Sequence, residues 1–216
     1  LTETAAIGVL GLPGLTAYFG LKRITEVQEG QTVLISSASG TVGATAGQIA
    51  RIHGARAVGM AGSPAKCDWL RNEARFDDVI PYKETADLET AIRKACPNGV
   101  DVYFDNVGGT TLDAAINCMN SNGRIVISGQ IAEYNRDQPI GIRNVPEFIN
   151  KRLRMEGFVV LDYAREFQTA QKELIAWILN GDIVYREEVI QGIENAATAY
   201  QGLFTGDSFG RRLIKI

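Results

Sequence analysis

The segment Ala38-Ser39-Gly40-Thr41-Val42-Gly43 lies between an apolar, β-favouring run, Gln31 to Ser37, and a stretch in which Val42, Ala46, Ile49 and Ile52 share one helical face. A glycine-bearing turn in that setting presents free main-chain N–H groups and the positive end of a helix. This is how a dinucleotide pyrophosphate is held. Gly40 would let a phosphate approach, Gly43 would let helix and strand pack closely, and Thr41 and Val42 would add N–H groups between them. The usual first glycine of the pattern is Ala38 here, so the signal takes its weight from the strand-turn-helix setting, with a plain strand-to-helix turn as the alternative.

Enzymes that use NAD place an acid about 20 residues beyond the glycines, on the ribose diol. Between Gly54 and Cys67 this chain has no Asp or Glu, but it has Ser63 and Lys66. A hydroxyl and an ammonium suit a ribose 2′-phosphate, so these residue types favour NADPH over NADH. The alternative is that Lys66 only solvates the first turn of a helix. Further on, Phe104-Asp105-Asn106-Val107-Gly108-Gly109 ends an apolar run with an amide that could face a cofactor, or with a turn that only starts the next helix. Ser128-Gly129 carries the same two readings. Asp101 and Asp105 read as strand-edge residues and not as a catalytic pair.

Other chemistry finds little support. His53 is the one histidine and reads as a surface residue near a helix end. Cys67, Cys96 and Cys118 stand apart, without the paired spacings of a zinc site or disulfide framework, and read as free thiols. No metal site is expected. The net charge of −3 gives no footprint for nucleic acid. Thr4 to Leu21 is uncharged, but its four glycines and Pro13 make it a buried loop and helix and not a signal peptide or membrane anchor. A cytoplasmic location is the default. The chain starts at Leu1, which suggests a removed upstream segment.

The elements that must position these residues alternate regularly. Strands are expected at Gln31–Ser37, Ala55–Met60, Val79–Tyr82, Val100–Asp105, Gly123–Ser128 and Arg154–Val160. Helices follow Gly40, start near Ala65, cover Leu88–Ala95, and run from Arg165 to Asn180. Crossovers of this kind make a doubly wound α/β fold, a parallel six-stranded Rossmann sheet with helices on both faces. Residues 1–180 would form the nucleotide domain. Residues 181–216 would add two isolated strands, Val184–Ile190 and Arg211–Ile216, around a helix near Glu194–Leu203.

Several segments together resemble the zinc-independent leukotriene and prostaglandin reductases, or alkenal/one oxidoreductases, of the medium-chain dehydrogenase/reductase superfamily. They are Gly11-Leu12-Pro13-Gly14-Leu15-Thr16-Ala17-Tyr18-Phe19-Gly20, the turn at 38–43, Phe104 to Gly109, Tyr134-Asn135-Arg136, and Arg152 to Val160. The resemblance implies that Lys66 and Tyr82 bind the adenosine phosphate end. It also implies that Thr16, Asn106, Ser128, Gly129, Gln130, Ile131, Phe158, Val159 and Val160 lie along the cofactor towards the nicotinamide. Ser208 would touch the cofactor, although relatives usually carry a longer Asn there. Where zinc alcohol dehydrogenases of the superfamily carry a metal-binding cysteine, this chain has Leu12-Pro13, which argues against zinc catalysis.

The reaction implied is NADPH-dependent reduction of the carbon–carbon double bond of an enal or enone. Tyr134 would face the substrate as a donor to its carbonyl oxygen, or serve only as an aromatic lid. The resemblance further implies an N-terminal barrel-like domain that the last two strands would join. It implies a homodimer through the sixth strand, and poor catalysis by this chain alone. A quinone reductase and a non-catalytic NADPH-sensing module are the competing readings.

Overall fold

The computed structural model describes residues 1–216. Eight strands form in chain order: β1 Thr32–Ile35, β2 Arg56–Ala61, β3 Asp78–Pro81, β4 Val100–Asp105, β5 Met119–Ile127, β6 Arg154–Gly157, β7 Glu187–Gln191 and β8 Arg211–Lys215. The helices are α1 Leu12–Phe19, α2 Thr41–Ile52, α3 Pro64–Asn72, α4 Leu88–Ala95, α5 Gly109–Cys118, α6 Val145–Lys151, α7 Phe167–Leu179 and α8 Ala196–Thr205. Local chemistry starts several of them. Pro13, Pro64 and Pro146 stand in first turns, where a missing N–H costs nothing. Asp87 caps α4 by accepting from the Thr90 N–H at 3.1 Å.

The first six strands make one parallel sheet in the order β3-β2-β1-β4-β5-β6. Alternate residues feed two separate cores. Val33, Ile35, Ala57, Val102, Phe104 and Val126 pack with α1, α2, α3 and α7, whereas Leu34, Val58, Met60, Ile80, Tyr103 and Ile125 pack with α4 and α5. Each fully buried large aliphatic side chain contributes about 1.5–3 kcal/mol, so this sandwiching fixes register and sheet order. The order reverses between β1 and β4, and their carboxyl ends open a crevice at that switch point.

Some boundaries differ from the sequence expectation. β5 starts at Met119, ahead of Gly123, with a register shift against Val100 and Val102. β6 stops at Gly157 and does not reach Val160. The apolar run Phe158–Val160 leaves the sheet because the Phe158 ring turns onto Tyr163, at 6.3 Å between centroids, and Val160 begins a 3₁₀ turn to Glu166. His53 is half-buried and not a surface residue. It caps α2, meets Trp177 edge-on at 6.1 Å, and burial holds its imidazole below the ordinary value. The opening stretch is a 3₁₀ turn and a helix buried along one side, through Ala5, Val9, Leu15 and Phe19, while Ile7 and Leu12 stay exposed.

The two C-terminal strands are not isolated, because they pair with each other in parallel across α8. β7 begins later than expected because Val184 is bound instead to Gln48: its N–H donates to Oε1 at 2.7 Å and its carbonyl accepts from Nε2 at 2.9 Å. The return into β8 lies along the glycine turn, where Gly210 N–H donates to the Ser39 carbonyl at 3.0 Å. No helix is long and apolar enough to cross a membrane.

Candidate functional site

The crevice above β1 and β4 holds two cavities of about 620 and 320 Å³ that share Ser37, Gly40, Ile131, Leu203 and Ser208 in their walls. They adjoin each other above Gly40. Gly40 is the N-cap of α2 and has no side chain to satisfy the first N–H groups of the helix, so these stay open to an outside acceptor. The hydroxyl of Thr41 is buried there without a partner.

The two glycines of the turn are required for different reasons. A Cβ on Gly43 would stand 2.5 Å from the Ser37 carbonyl oxygen and 2.8 Å from the Ala38 Cα, so contact between α2 and the turn demands glycine. A Cβ on Gly40 would meet nothing nearer than 3.5 Å, and its φ of −78° suits any residue. Nothing in the protein requires glycine at 40, but a Cβ there would fill the cradle into which an anion must come. Ala38 replaces the usual first glycine without strain. The left-handed position falls on Ser37 (φ 50°), and Gly59 makes room for the Ala38 methyl.

At the narrow end the Lys66 side chain is almost fully buried, and its ammonium donates to the Gly206 carbonyl at 2.5 Å. Burial first, and then the charge of Lys83, holds its pKa below the ordinary lysine value. Tyr82 lies beside it, half-exposed, on the turn after β3. Ser63 is the N-cap of α3 but lies outside both cavity walls.

At the wide end Asn106 and Tyr134 share a wall with Pro13, Tyr200 and Ile214. The Asn106 amide donates to the Ser36 carbonyl at 2.8 Å, and its N–H donates to the Ser36 hydroxyl at 2.8 Å. The amide nitrogen thus ties the ends of β1 and β4 together, leaving the amide oxygen for a ligand. Behind it, the fully buried Asp105 organises the loop: Oδ1 accepts from the Tyr103 hydroxyl at 2.9 Å and from the Val107 and Gly108 N–H groups at 3.0 Å.

The 128–131 loop is pinned over β4, with the Ser128 and Gly129 N–H groups donating to the Asp105 carbonyl at 2.8 and 3.1 Å. Gln130 N–H donates to the Tyr134 phenol oxygen at 3.1 Å. Ile131 and Ser208 line both cavities. Thr16 spends its hydroxyl on the Leu12 carbonyl within α1, at 2.8 Å. Neither Thr16 nor Phe158, Val159 and Val160 line the two cavities. The cleft also contains Ser36, Ser37, Ser39 and Lys83, which sequence reasoning did not single out. The Ser-rich run after β1 was a visible signal for the first three.

A parallel sheet whose order reverses at a glycine turn, with helices on both faces, defines a Rossmann-type α/β domain. Residues 41–178 match the family described as "Zinc-binding dehydrogenase", and the chain belongs to that family. It is 45% identical over 217 residues to prostaglandin reductase 1 of Bos taurus, covering 100% of this chain and 66% of that protein. It is 43% identical over 209 residues to the 2-alkenal reductase (NADP(+)-dependent) of Nicotiana tabacum, covering 97% and 61%. The crystal structure of CurA in complex with NADPH from Vibrio vulnificus superposes with a TM-score of 0.93 at 37% identity, covering 98% of this chain and 64% of that one. The chain thus spans less than two thirds of the length of these relatives. The family description names zinc, but no three His, Cys, Asp or Glu side chains of this chain come together to hold a metal ion.

Proposed function

We propose that this chain is the cofactor-binding part of an NADPH-dependent reductase that saturates the carbon–carbon double bond of α,β-unsaturated aldehydes and ketones. The observation that carries the reading is the placing of two adjoining cavities, one walled by Lys66 and the other by Tyr134, that share Gly40 at the bare N-terminus of α2. Their parts suit, in order, a 2′-phosphate, a pyrophosphate and a carbonyl substrate beside a nicotinamide. The names of the bovine and tobacco relatives, and the NADPH bound to the Vibrio protein, support it.

Within the reading, Lys66 and Tyr82 hold the adenosine phosphate end, and the N–H groups of Thr41, Val42 and Gly43 hold the pyrophosphate above Gly40, whose own N–H is spent on the Ser37 carbonyl at 3.1 Å. Ser63, at the N-cap position of α3, would add a hydroxyl at the same phosphate end. Asn106, Ile131 and Ser208 line the path of the remainder, while Thr16, Ser128, Gly129, Gln130, Phe158, Val159 and Val160 stand outside the two cavity walls and would meet the cofactor only at its nicotinamide end. A reduced nicotinamide supplies a hydride to the β-carbon of the substrate. Negative charge would then gather on the carbonyl oxygen, to which the Tyr134 hydroxyl, held by Gln130, would donate. The α-carbon would take a proton from solvent or from Tyr134 to complete the saturation.

In the same reading, residues 1–180 carry most of the cofactor site, and Leu203, Gly206 and Ser208 of the C-terminal segment wall its cleft. Residues 181–216 turn towards the part of the relatives that this chain does not span, which would close the second wall of the site and exclude water. β6 is the outer strand of the sheet and all four of its residues are exposed, which supports pairing with a second copy. The three unpaired thiols suit a reducing cytoplasm. The test is NADPH oxidation by the complete protein with a simple enal, a quinone, or neither. Enal-dependent oxidation is expected. Activity with quinones alone would make it a quinone reductase, and activity with neither would leave a sensing module.

A further inference from the structure

Granted the dinucleotide reading of the cleft, on which this inference rests, we propose that Lys83 is a second cation of the ribose-phosphate subsite and sets the preference for a 2′-phosphorylated dinucleotide jointly with Lys66. The two lysines come from different strand ends. Lys66 belongs to α3, which follows β2, and Lys83 to the turn Tyr82–Glu84, which follows β3. They converge on one turn at the end of α8, where Lys66 donates to the Gly206 carbonyl at 2.5 Å and Lys83 to the Thr205 carbonyl at 3.3 Å. Both line the smaller cavity with Tyr82 and Gly62.

No carboxylate pairs with either ammonium, although the chain forms a dozen other ion pairs. The acids around Lys66 are otherwise engaged: Asp207 is bonded to the Thr205 hydroxyl, and Glu188 pairs with Arg212 at 2.9 Å. Two like charges turned into one cavity without a counter-ion repel, and the charge of Lys83 is the largest influence after burial in lowering the Lys66 pKa. A phosphomonoester relieves this repulsion. It carries close to two negative charges at neutral pH and three acceptor oxygens, more than one ammonium can satisfy. Space for it is kept by Gly62, where a Cβ would stand 3.0 Å from the Tyr82 phenol oxygen and 3.2 Å from Lys83 Cε.

The test titrates NADPH, NADH, adenosine 2′,5′-bisphosphate and adenosine 5′-monophosphate into the wild-type chain and into Lys83→Ala, Lys83→Arg and Lys66→Ala. Lys83 is exposed, so its removal should leave the fold intact, which thermal melting checks. Lys83→Ala should weaken NADPH and the bisphosphate about tenfold, change NADH and the monophosphate less than about twofold, and be rescued by Arg. If wild type prefers NADPH and Lys83→Ala keeps that preference, or loses both dinucleotides equally, the role of Lys83 is overturned while the dinucleotide reading stands. If wild type binds none of the four ligands, the dinucleotide reading fails and takes this inference with it.

Discussion

The main-chain N–H of Gln130 donates to the phenol oxygen of Tyr134 at 3.1 Å, so the phenol's own proton is left to be given elsewhere. Tyr134 is 64% exposed and borders the wide end of the cleft. Tyr134→Phe keeps the ring and removes the proton. In the complete protein it should lower kcat for enal reduction by roughly 10²-fold, the scale of losing one donor to a developing oxyanion. The dissociation constant for NADPH should stay within about twofold. Steady-state kinetics beside a binding titration checks this, and an unchanged kcat would reduce Tyr134 to a lid.

Gly40 and Gly43 should separate binding from folding. Gly43→Ala drives a methyl into the Ser37 carbonyl and should cost about 1–3 kcal/mol, the usual price of overpacking. Gly40→Ala finds room in the protein and should change stability by less than about 0.5 kcal/mol, yet weaken NADPH at least about tenfold because the methyl occupies the phosphate's approach. Denaturant melts and titrations of the two variants distinguish these outcomes. A Gly40→Ala protein that binds NADPH normally would move the pyrophosphate elsewhere.

Asp105 is buried with four donors on Oδ1 and none on Oδ2, and burial pushes its carboxyl above the usual carboxylate range. Asp105→Ala leaves those donors unsatisfied and should destabilise the fold by about 2–4 kcal/mol. Asp105→Asn should recover part of this. A raised native pKa contributes stability that is complete below the unfolded value of about 3.9 and is lost as pH rises through the native value. The stability deficit of the Asn variant should therefore shrink as pH rises from about 4. Urea melts at several pH values test the sign.

The thiols should be silent in the native chain. Cys67, Cys96 and Cys118 are all buried, and burial pushes Cys96 up to about 12 and Cys118 to about 11. Because the thiolate is the reactive form, an alkylating reagent at pH 8 should label none of them until denaturant is added. Both thiols have raised native pKa values, so the stability linked to them is present below the unfolded value and is lost in strongly alkaline solution. Rapid labelling of native protein would place a thiol at the surface.

Much of this was legible because it rests on local patterns. The six strands of a doubly wound sheet follow from apolar runs broken at helical spacing, and Gly40, Gly43 and Lys66 are recognisable from the turn and from the absence of acid after β2. What escaped depends on contacts between distant segments. The apolar run Phe158–Val160 reads as strand until Tyr163 takes the Phe158 ring. Val184 reads as strand until Gln48, 136 residues away, claims its main chain. Lys83 carries no sequence signal of its own, and only the return of Thr205 and Gly206 to the sheet edge brings it opposite Lys66. Asn106 was visible, but not that its amide nitrogen is spent on Ser36.

Calorimetric titration of the folded chain with NADPH and with NADH, repeated on Lys66→Ala, decides whether the cleft is a dinucleotide site. One NADPH per chain should bind at least about tenfold more tightly than NADH, and loss of Lys66 should erase that margin while sparing NADH. Absence of heat with both dinucleotides, or equal affinities that Lys66→Ala lowers together, would contradict it.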